Sequence, residues 1–167
     1  MKRIFTIGYE GASLDDFIAT LKLLRVEKLI DVREFATSRR KGFSKTALQK
    51  ALENSNVKYQ HERSLGSPKD IRHRLRQDND YTRYFSEFRN YLETQDLLLK
   101  TLANDSSESI VLMCYERDSR ICHRSVVAEK IGVLSGIRPV HLGVQKHDVR
   151  KAHQGKIMDF SQSLSAT

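Results

Sequence analysis

The alternation of short β-rich runs with helical stretches is the feature that most constrains how this chain can fold. Apolar runs end at Gly8, close to Arg33 and at Cys114, and after a polar loop each gives way to apolar residues at helical spacing. Residues 110–114 are continuously apolar, as expected for a central strand of a parallel sheet. Strands that alternate with helices imply right-handed crossovers. The chain is therefore predicted to be α/β, with three αβα layers and a mostly parallel, Rossmann-like sheet of about five strands.

The element pattern also predicts how the chain divides. With 167 residues the chain has the length of one ordinary domain, which we assign to residues 1–143, and the polar residues 144–167 are predicted to form a tail. Strands are predicted at 3–8, 29–33, 57–59, 109–114 and 139–142. Helices are predicted after Ser13, after Ser44, within 70–103 and over 125–135.

The charge balance indicates the kind of partner. Lys and Arg number 29 against 21 Asp and Glu, for a net charge of +8, which favours a nucleic acid or a phosphorylated small molecule. The longest apolar runs are far too short to span a bilayer, so no membrane partner is expected. The start of the chain lacks signal-peptide features and two cysteines are too few for a disulfide framework, so a cytoplasmic protein with free thiols is expected.

The richest chemistry lies between residues 113 and 124. The apolar strand ends at Cys114, a charged loop follows, and a helix is predicted to begin near Cys122. Backbone N–H groups at such a helix start favour an anion and lower the pKa of a nearby thiol. Cys122 and Cys114 are therefore candidate nucleophiles, with Glu116 as a candidate acid–base group. Positive side chains that would bind phosphate are Arg120, His123 and Arg124.

This segment also has features of two other kinds of site. Cys114 and Arg120 have the Cys-x5-Arg spacing of cysteine phosphatases, although this loop lacks glycines and carries Glu116 and an aspartate that would repel phosphate. A zinc site would need Cys114, Cys122 and His123, but no short Cys-x2–4-Cys pair is present. Adjacent Cys122 and His123 are expected not to reach one ion. The sequence therefore predicts neither a metal nor another cofactor.

Two more segments place polar groups just beyond predicted strands. Alternation puts Asp31 and Arg33 on the same side of a strand end, within ion-pairing reach of each other or of a ligand. Arg33 is therefore a candidate phosphate-binding residue and Asp31 a candidate acid–base residue. Ser38 and Arg39 follow in a basic loop suited to phosphate oxygens. After the first strand, Gly8 and Tyr9 would let the backbone approach a ligand, and Glu10 is a further candidate base.

These motifs together resemble a known family. The motifs that carry the resemblance are residues 8–11 (Gly-Tyr-Glu-Gly), 30–33 (Ile-Asp-Val-Arg), 42–44 (Gly-Phe-Ser), Cys114-x-Glu116 and 122–124 (Cys-His-Arg). In this order they are similar to the family catalogued as domain of unknown function 488, and the similarity extends over residues 1 to about 142. The resemblance implies a small cytoplasmic α/β domain and brings no activity with it. Where members often have Gly-His-Ser in the first motif and Leu-Gly-Gly in a later one, this chain has Gly-Tyr-Glu and, at 65–67, Leu-Gly-Ser.

Parallel sheets bind ligands beyond the carboxyl ends of their strands, which is where these polar groups gather. The leading hypothesis is an enzyme that acts on a nucleotide or nucleic acid through a basic phosphate-binding cleft, with carboxylate and thiol chemistry. The alternatives are a non-catalytic module that binds nucleic acid or a phosphorylated ligand, and a phosphatase-like enzyme.

Overall fold

A five-stranded parallel sheet forms the centre of the molecule. The structure is a computed structural model that describes residues 2–107 and 109–146. Within these residues the strands are β1 (Arg3–Gly8), β2 (Lys28–Asp31), β3 (Lys58–His61), β4 (Ser109–Cys114) and β5 (Val140–Leu142). Their order is β3-β2-β4-β1-β5, and every pairing is parallel. The predicted α/β class with about five mostly parallel strands is confirmed.

Helices cover both faces of the sheet. They are α1 (Leu14–Leu23), α2 (Lys45–Glu53), α3 (Lys69–Asp78), α4 (Tyr81–Glu93), α5 (Asp96–Ala103) and α6 (His123–Ser135). Ser13 begins α1 as predicted, because its hydroxyl accepts a hydrogen bond from the Asp16 backbone N–H at 3.1 Å. Helix α6 begins at His123, directly after Cys122 in the N-cap position, which confirms the helix start predicted near Cys122; its helical residues begin two positions before the apolar stretch predicted from Ser125.

Two hydrophobic cores lie on opposite sides of the sheet, as the three-layer prediction requires. Phe17 of α1 and Leu48 of α2 pack with Val111 on one face. Phe88 of α4 packs with Ile110 on the other, together with residues of α5 and α6. Alternate residues of β4 thus enter opposite cores, so this strand is buried along its whole length.

None of the helices in the described residues has the length and apolarity needed to cross a membrane. Of the predicted tail, residues 147–167 lie outside the described residues.

Candidate functional site

The carboxyl ends of β1, β2 and β4 meet at one edge of the sheet. Gly8 pairs with Cys114, and Asp31 pairs with Met113, so the last residues of three neighbouring strands lie side by side. A cleft of about 890 Å³ opens above them. Its lining includes Arg33 and His123, so the loop after β2 and the loop after β4 share one concavity.

A saturated ion pair forms the β2 side of this edge. The Arg33 guanidinium donates from Nε to Asp31 Oδ1 at 2.8 Å and from Nη2 to Asp31 Oδ2 at 2.6 Å. Its remaining Nη1 donates to the Tyr9 hydroxyl at 2.9 Å and to the Phe43 carbonyl at 2.8 Å. Tyr59 donates its hydroxyl to Asp31 Oδ2 at 2.7 Å. The predicted ion-pairing reach of Asp31 and Arg33 is confirmed, and the pair is almost fully buried.

These contacts also stabilise the charged form of Arg33. Burial lowers the pKa of Arg33, but its hydrogen bonds to Asp31 and the charge of that carboxylate raise it further, so the net shift is upward. Burial and the bond to Asp31 raise the pKa of Tyr59. Arg33 therefore stays a cation, and each of its three guanidinium nitrogens donates to a protein group.

Four reactive side chains cluster on the β4 side of the cleft, and three of them form its floor. This thiol cluster consists of Cys114 at the end of β4, Glu116 in the following loop, and Cys122 and His123 at the start of α6. Glu116 Oε2 accepts from Cys114 Sγ at 3.2 Å and from Cys122 Sγ at 3.1 Å. His123 Nδ1 lies 3.9 Å from the first sulfur and 4.0 Å from the second. Cys114, Glu116 and His123 line the cleft, whereas Cys122 lies buried just behind them.

The imidazole of His123 is fixed from its far side. Its Nε2 is 2.8 Å from the Val32 carbonyl oxygen, and since a carbonyl can only accept, Nε2 carries a proton and donates. The ring also packs edge-on against Phe88, with centroids 5.3 Å apart. Both contacts direct Nδ1 toward the two sulfurs.

The members of the cluster shift one another's pKa values. Burial raises the pKa of Cys122, but hydrogen bonds from Cys114 and His123 and the positive charge of His123 lower it well below that of an ordinary thiol. The hydrogen bond to Cys122 and burial raise the pKa of Cys114, and burial with the negative charge of Cys122 raises that of Glu116. Burial lowers the pKa of His123, yet its contact with Cys122 leaves it raised. The two thiols are thus chemically distinct, with the pKa of Cys122 shifted down and that of Cys114 shifted up.

Gly8 and Arg124 position the loop that carries Glu116. A Cβ atom on Gly8 would lie 1.8 Å from the Glu116 carbonyl oxygen, so the close approach that glycine permits is to the protein's own loop. The fully buried Arg124 donates from Nη1 to the Glu116 carbonyl and from Nη2 to the Arg117 carbonyl, the latter at 3.2 Å. Glu10 Oε2 accepts from the Arg117 backbone N–H at 2.9 Å on the exposed side. These three residues act on the loop backbone.

The rim of the cleft is cationic and aromatic. Arg39, Arg40 and Arg76 line it, and none of the three has a carboxylate partner among the residues the structure describes, whereas Arg72 is paired with Glu34 at 2.6 Å. Phe35, Tyr81 and Tyr115 line it too, and their side chains are 50%, 37% and 46% exposed. A ligand here would meet both guanidinium groups and open aromatic rings.

The structure brings most of the predicted site residues together. Those that line the cleft are Tyr9, Arg33, Ser38, Arg39, Cys114, Glu116 and His123. Those in contact with its lining from behind are Gly8, Asp31, Cys122 and Arg124. Glu10 and Arg120 lie outside the lining. Arg120 is 87% exposed and bonds to Asp118 at 2.7 Å, so the Cys-x5-Arg spacing does not place its guanidinium over the Cys114 thiol.

Sequence reasoning missed the wall that α3 and α4 supply. Arg72 and Arg76 are one helical turn apart on α3 and both line the cleft, as does Tyr81 at the start of α4. The i,i+4 arginine pair was visible in the sequence, but nothing there showed which sheet edge α3 lies against.

One geometric expectation was wrong. Adjacent Cys122 and His123 were expected not to reach one ion, yet Cys114 Sγ, Cys122 Sγ and His123 Nδ1 all lie within 4.8 Å of one another. The reason is the helix start. Cys122 has extended backbone angles (φ −120°, ψ 133°) and His123 is the first helical residue, so the chain bends between them and both side chains face Cys114.

Comparison with known proteins identifies a family. Searches of curated proteins and of solved structures find no match. A family model described as "Domain of unknown function DUF488" matches residues 13–131, which excludes the first glycine motif but includes β2, β4 and the whole thiol cluster. The match covers more than two thirds of the chain, and its motifs lie at the strand ends described above. The chain therefore belongs to the DUF488 family.

Proposed function

We propose that this protein is an enzyme whose cleft binds a nucleotide or a nucleic acid by its phosphates and bases. The observation that carries the proposal is the combination of unpaired guanidinium groups and exposed aromatic rings on one rim, directly above a floor of thiol, carboxyl and imidazole groups. Phosphate and a planar base are the two chemical features that nucleotides and nucleic acids share.

The binding half of the proposal rests on the rim. Arg39 and Arg76 can each donate to phosphate oxygens without first breaking an ion pair to a carboxylate, whereas Nε of Arg40 already donates to the Ala12 carbonyl. Tyr81 and Tyr115 are exposed rings on which a base can stack, a contact worth about 1–3 kcal/mol per base. The Phe35 ring already carries the Arg63 guanidinium, 4.9 Å from its centroid. Arg33 and Arg124, by contrast, are engaged by protein oxygens and support the site from behind.

The catalytic half rests on the floor. A module that only binds phosphate gains nothing from a carboxyl group held against two buried sulfurs, since a carboxylate oxygen has no proton to donate to a phosphate. Groups with raised and lowered pKa values beside one another in a cleft are typical of active sites. Glu116 is the group best placed for acid–base work, because it lines the cleft and touches both thiols.

Binding is tested by fluorescence anisotropy with a fluorescein-labelled single-stranded oligonucleotide. The double variant Arg39→Glu/Arg76→Glu should weaken binding at least tenfold. It should also reduce the slope of log affinity against log salt concentration by the amount expected for the loss of about two phosphate contacts. The matched control is Lys22→Glu/Lys50→Glu, which makes the same charge change at exposed positions of α1 and α2. Competition by AMP and ATP distinguishes a free nucleotide from a polymer as the ligand.

Two results would overturn the binding proposal: affinity weaker than about 10⁻⁴ M at low salt for oligonucleotide and nucleotides alike, or an equal loss in both double variants. Turnover is followed by mass spectrometry of each bound probe after incubation. Glu116→Gln should retain binding and form no product. If the wild-type protein binds the probes and converts none of them, the non-catalytic module is the correct interpretation.

A further inference from the structure

We propose that Cys114, Cys122 and His123 bind a zinc ion at the floor of the cleft. The site itself stands on the geometry of these three side chains. Its role as part of a reaction centre rests on the function proposed above, in which a substrate bound by the arginine rim extends down to the floor.

The donor atoms have nearly the spacing that zinc requires. Tetrahedral zinc with Zn–S bonds of about 2.3 Å and Zn–N bonds of about 2.0 Å separates a sulfur from a nitrogen by about 3.6 Å. Here Nδ1 of His123 lies 3.9 Å from Sγ of Cys114 and 4.0 Å from Sγ of Cys122. The two sulfurs, which tetrahedral zinc would hold about 3.8 Å apart, lie within 4.8 Å of each other, so shifts of at most about 1 Å would close the three donors around one ion.

The surroundings of His123 are those of a metal-binding imidazole. Such a ring donates its second nitrogen to a carboxylate or carbonyl, which fixes the tautomer and the ring orientation. The Nε2–H of His123 donates to the Val32 carbonyl at 2.8 Å, and Phe88 packs against the ring. The lone pair of Nδ1 is thus directed at the sulfurs, and the orientation needs no rearrangement when an ion binds.

The donor set selects the metal class. Two sulfurs and an imidazole suit zinc, whereas Mg²⁺ and Ca²⁺ prefer oxygen ligands. Three protein ligands leave a fourth position, and because Cys114 and His123 line the cleft, this position is accessible from it. Glu116 Oε2 lies 3.2 Å or less from both sulfurs, next to that position. A zinc ion there would act as a Lewis acid toward a substrate phosphate or carbonyl oxygen.

The test is metal content and spectroscopy of the full chain, purified without a histidine tag. We expect one zinc per chain by elemental mass spectrometry. Replacement of zinc by Co²⁺ should produce thiolate-to-cobalt charge-transfer absorption in the near ultraviolet and visible bands of tetrahedral Co²⁺. This measurement uses the wild-type protein, so it does not depend on whether a ligand variant folds.

Variants then locate the ligands. Cys122→Ser and His123→Asn should each weaken zinc binding about 100-fold or more, whereas His73→Asn, a matched change at an exposed position of α3, should leave it unchanged. Glu116→Gln should retain the ion, because the three ligands remain.

Three results would overturn the proposal: wild-type protein that takes up neither Zn²⁺ nor Co²⁺ while both thiols are free, a Cys114–Cys122 disulfide in the purified chain, or full zinc affinity in His123→Asn. The outcome is separable from that of the proposed function. Arg39→Glu/Arg76→Glu should bind a full complement of zinc even where it no longer binds the oligonucleotide, and oligonucleotide binding at the rim can be measured whether or not zinc is present.

Discussion

The carboxyl ends of β2 and β4 lie side by side, yet they handle buried polar groups in opposite ways. At the end of β2, the carboxylate of Asp31 meets two Arg33 nitrogens and the Tyr59 hydroxyl. At the end of β4, one oxygen of Glu116 is the shared acceptor of Cys114 and Cys122. The first network matches strong donors with strong acceptors, whereas the second holds weak donors against an acid.

This difference distinguishes the β2 network, which stabilises the framework of the site, from the β4 cluster, which is its reactive part. A buried charge that is fully hydrogen-bonded is costly to disturb and has no capacity left for a ligand. A cluster whose hydrogen bonds are weak and whose pKa values are shifted contributes little to stability and can exchange its partners. We therefore expect isosteric changes to have large effects on folding at the β2 end and small ones at the β4 end, and the following predictions test this.

The largest effect is expected for Asp31→Asn. The amide has nearly the shape of the carboxylate but carries no charge and only one acceptor oxygen, so the buried Arg33 guanidinium loses its counter-ion. Removing one partner of a buried ion pair costs about 3–5 kcal/mol of unfolding free energy. Urea denaturation followed by circular dichroism measures the loss.

Asp70→Asn on α3 is the matched control, since its side chain is 72% exposed and its ion pair with Arg74 is long, at 3.6 Å. That change should cost less than about 1 kcal/mol. Equal losses in the two variants would contradict the view that the β2 network is a stability element.

How far the sequence predicts this arrangement can be seen in the same residues. The strand–helix pattern correctly predicts the sheet class, and alternation along β2 correctly predicts that Asp31 and Arg33 pair. The convergence of Cys114 and Arg33 on one cleft follows because parallel strands end at one edge.

The sequence could not show which donors are already engaged. The acceptors of Arg124 are the carbonyls of Glu116 and Arg117, and the partner of Arg33 Nη1 is the carbonyl of Phe43. Backbone carbonyls are present at every residue, so no residue type signals that a guanidinium will be saturated. The bend between Cys122 and His123 is likewise a property of backbone angles.

The next largest effect is expected where β1 supports the loop of the thiol cluster. In Gly8→Ala the new Cβ would meet the Glu116 carbonyl oxygen at 1.8 Å, which forces the loop away from β1. Overpacking of this kind costs about 2–3 kcal/mol, measured by the same urea denaturation. Gly143→Ala is the control, because a Cβ there has no neighbour within 4 Å, and it should leave stability within about 0.5 kcal/mol. A Gly8 variant as stable as the control would show that the loop moves freely.

Tyr59→Phe sharpens the comparison by removing one hydrogen bond from the β2 network without touching the ion pair. The lost bond joins the Tyr59 hydroxyl to Asp31 Oδ2 at 2.7 Å and involves a charged acceptor. Its removal should cost about 1.5 kcal/mol of unfolding free energy. The double variant with Asp31→Asn should lose less than the sum of the two single losses, because both changes act on the same carboxyl group. Strict additivity would mean that the hydroxyl does not stabilise the carboxylate.

The smallest effect is expected for Glu116→Gln, the same carboxyl-to-amide change made at the β4 end. Burial and the negative charge of Cys122 raise the pKa of Glu116, and this upward shift lowers the cost of replacing the carboxyl group by a neutral amide. Its two partners are thiols, which are weak donors. The unfolding free energy, measured with a chelator present so that no metal contributes, should change by less than about 1 kcal/mol. A loss as large as that of Asp31→Asn would mean that Glu116 is a structural group, and that the β4 end belongs to the framework of the cleft in the way that the β2 end does.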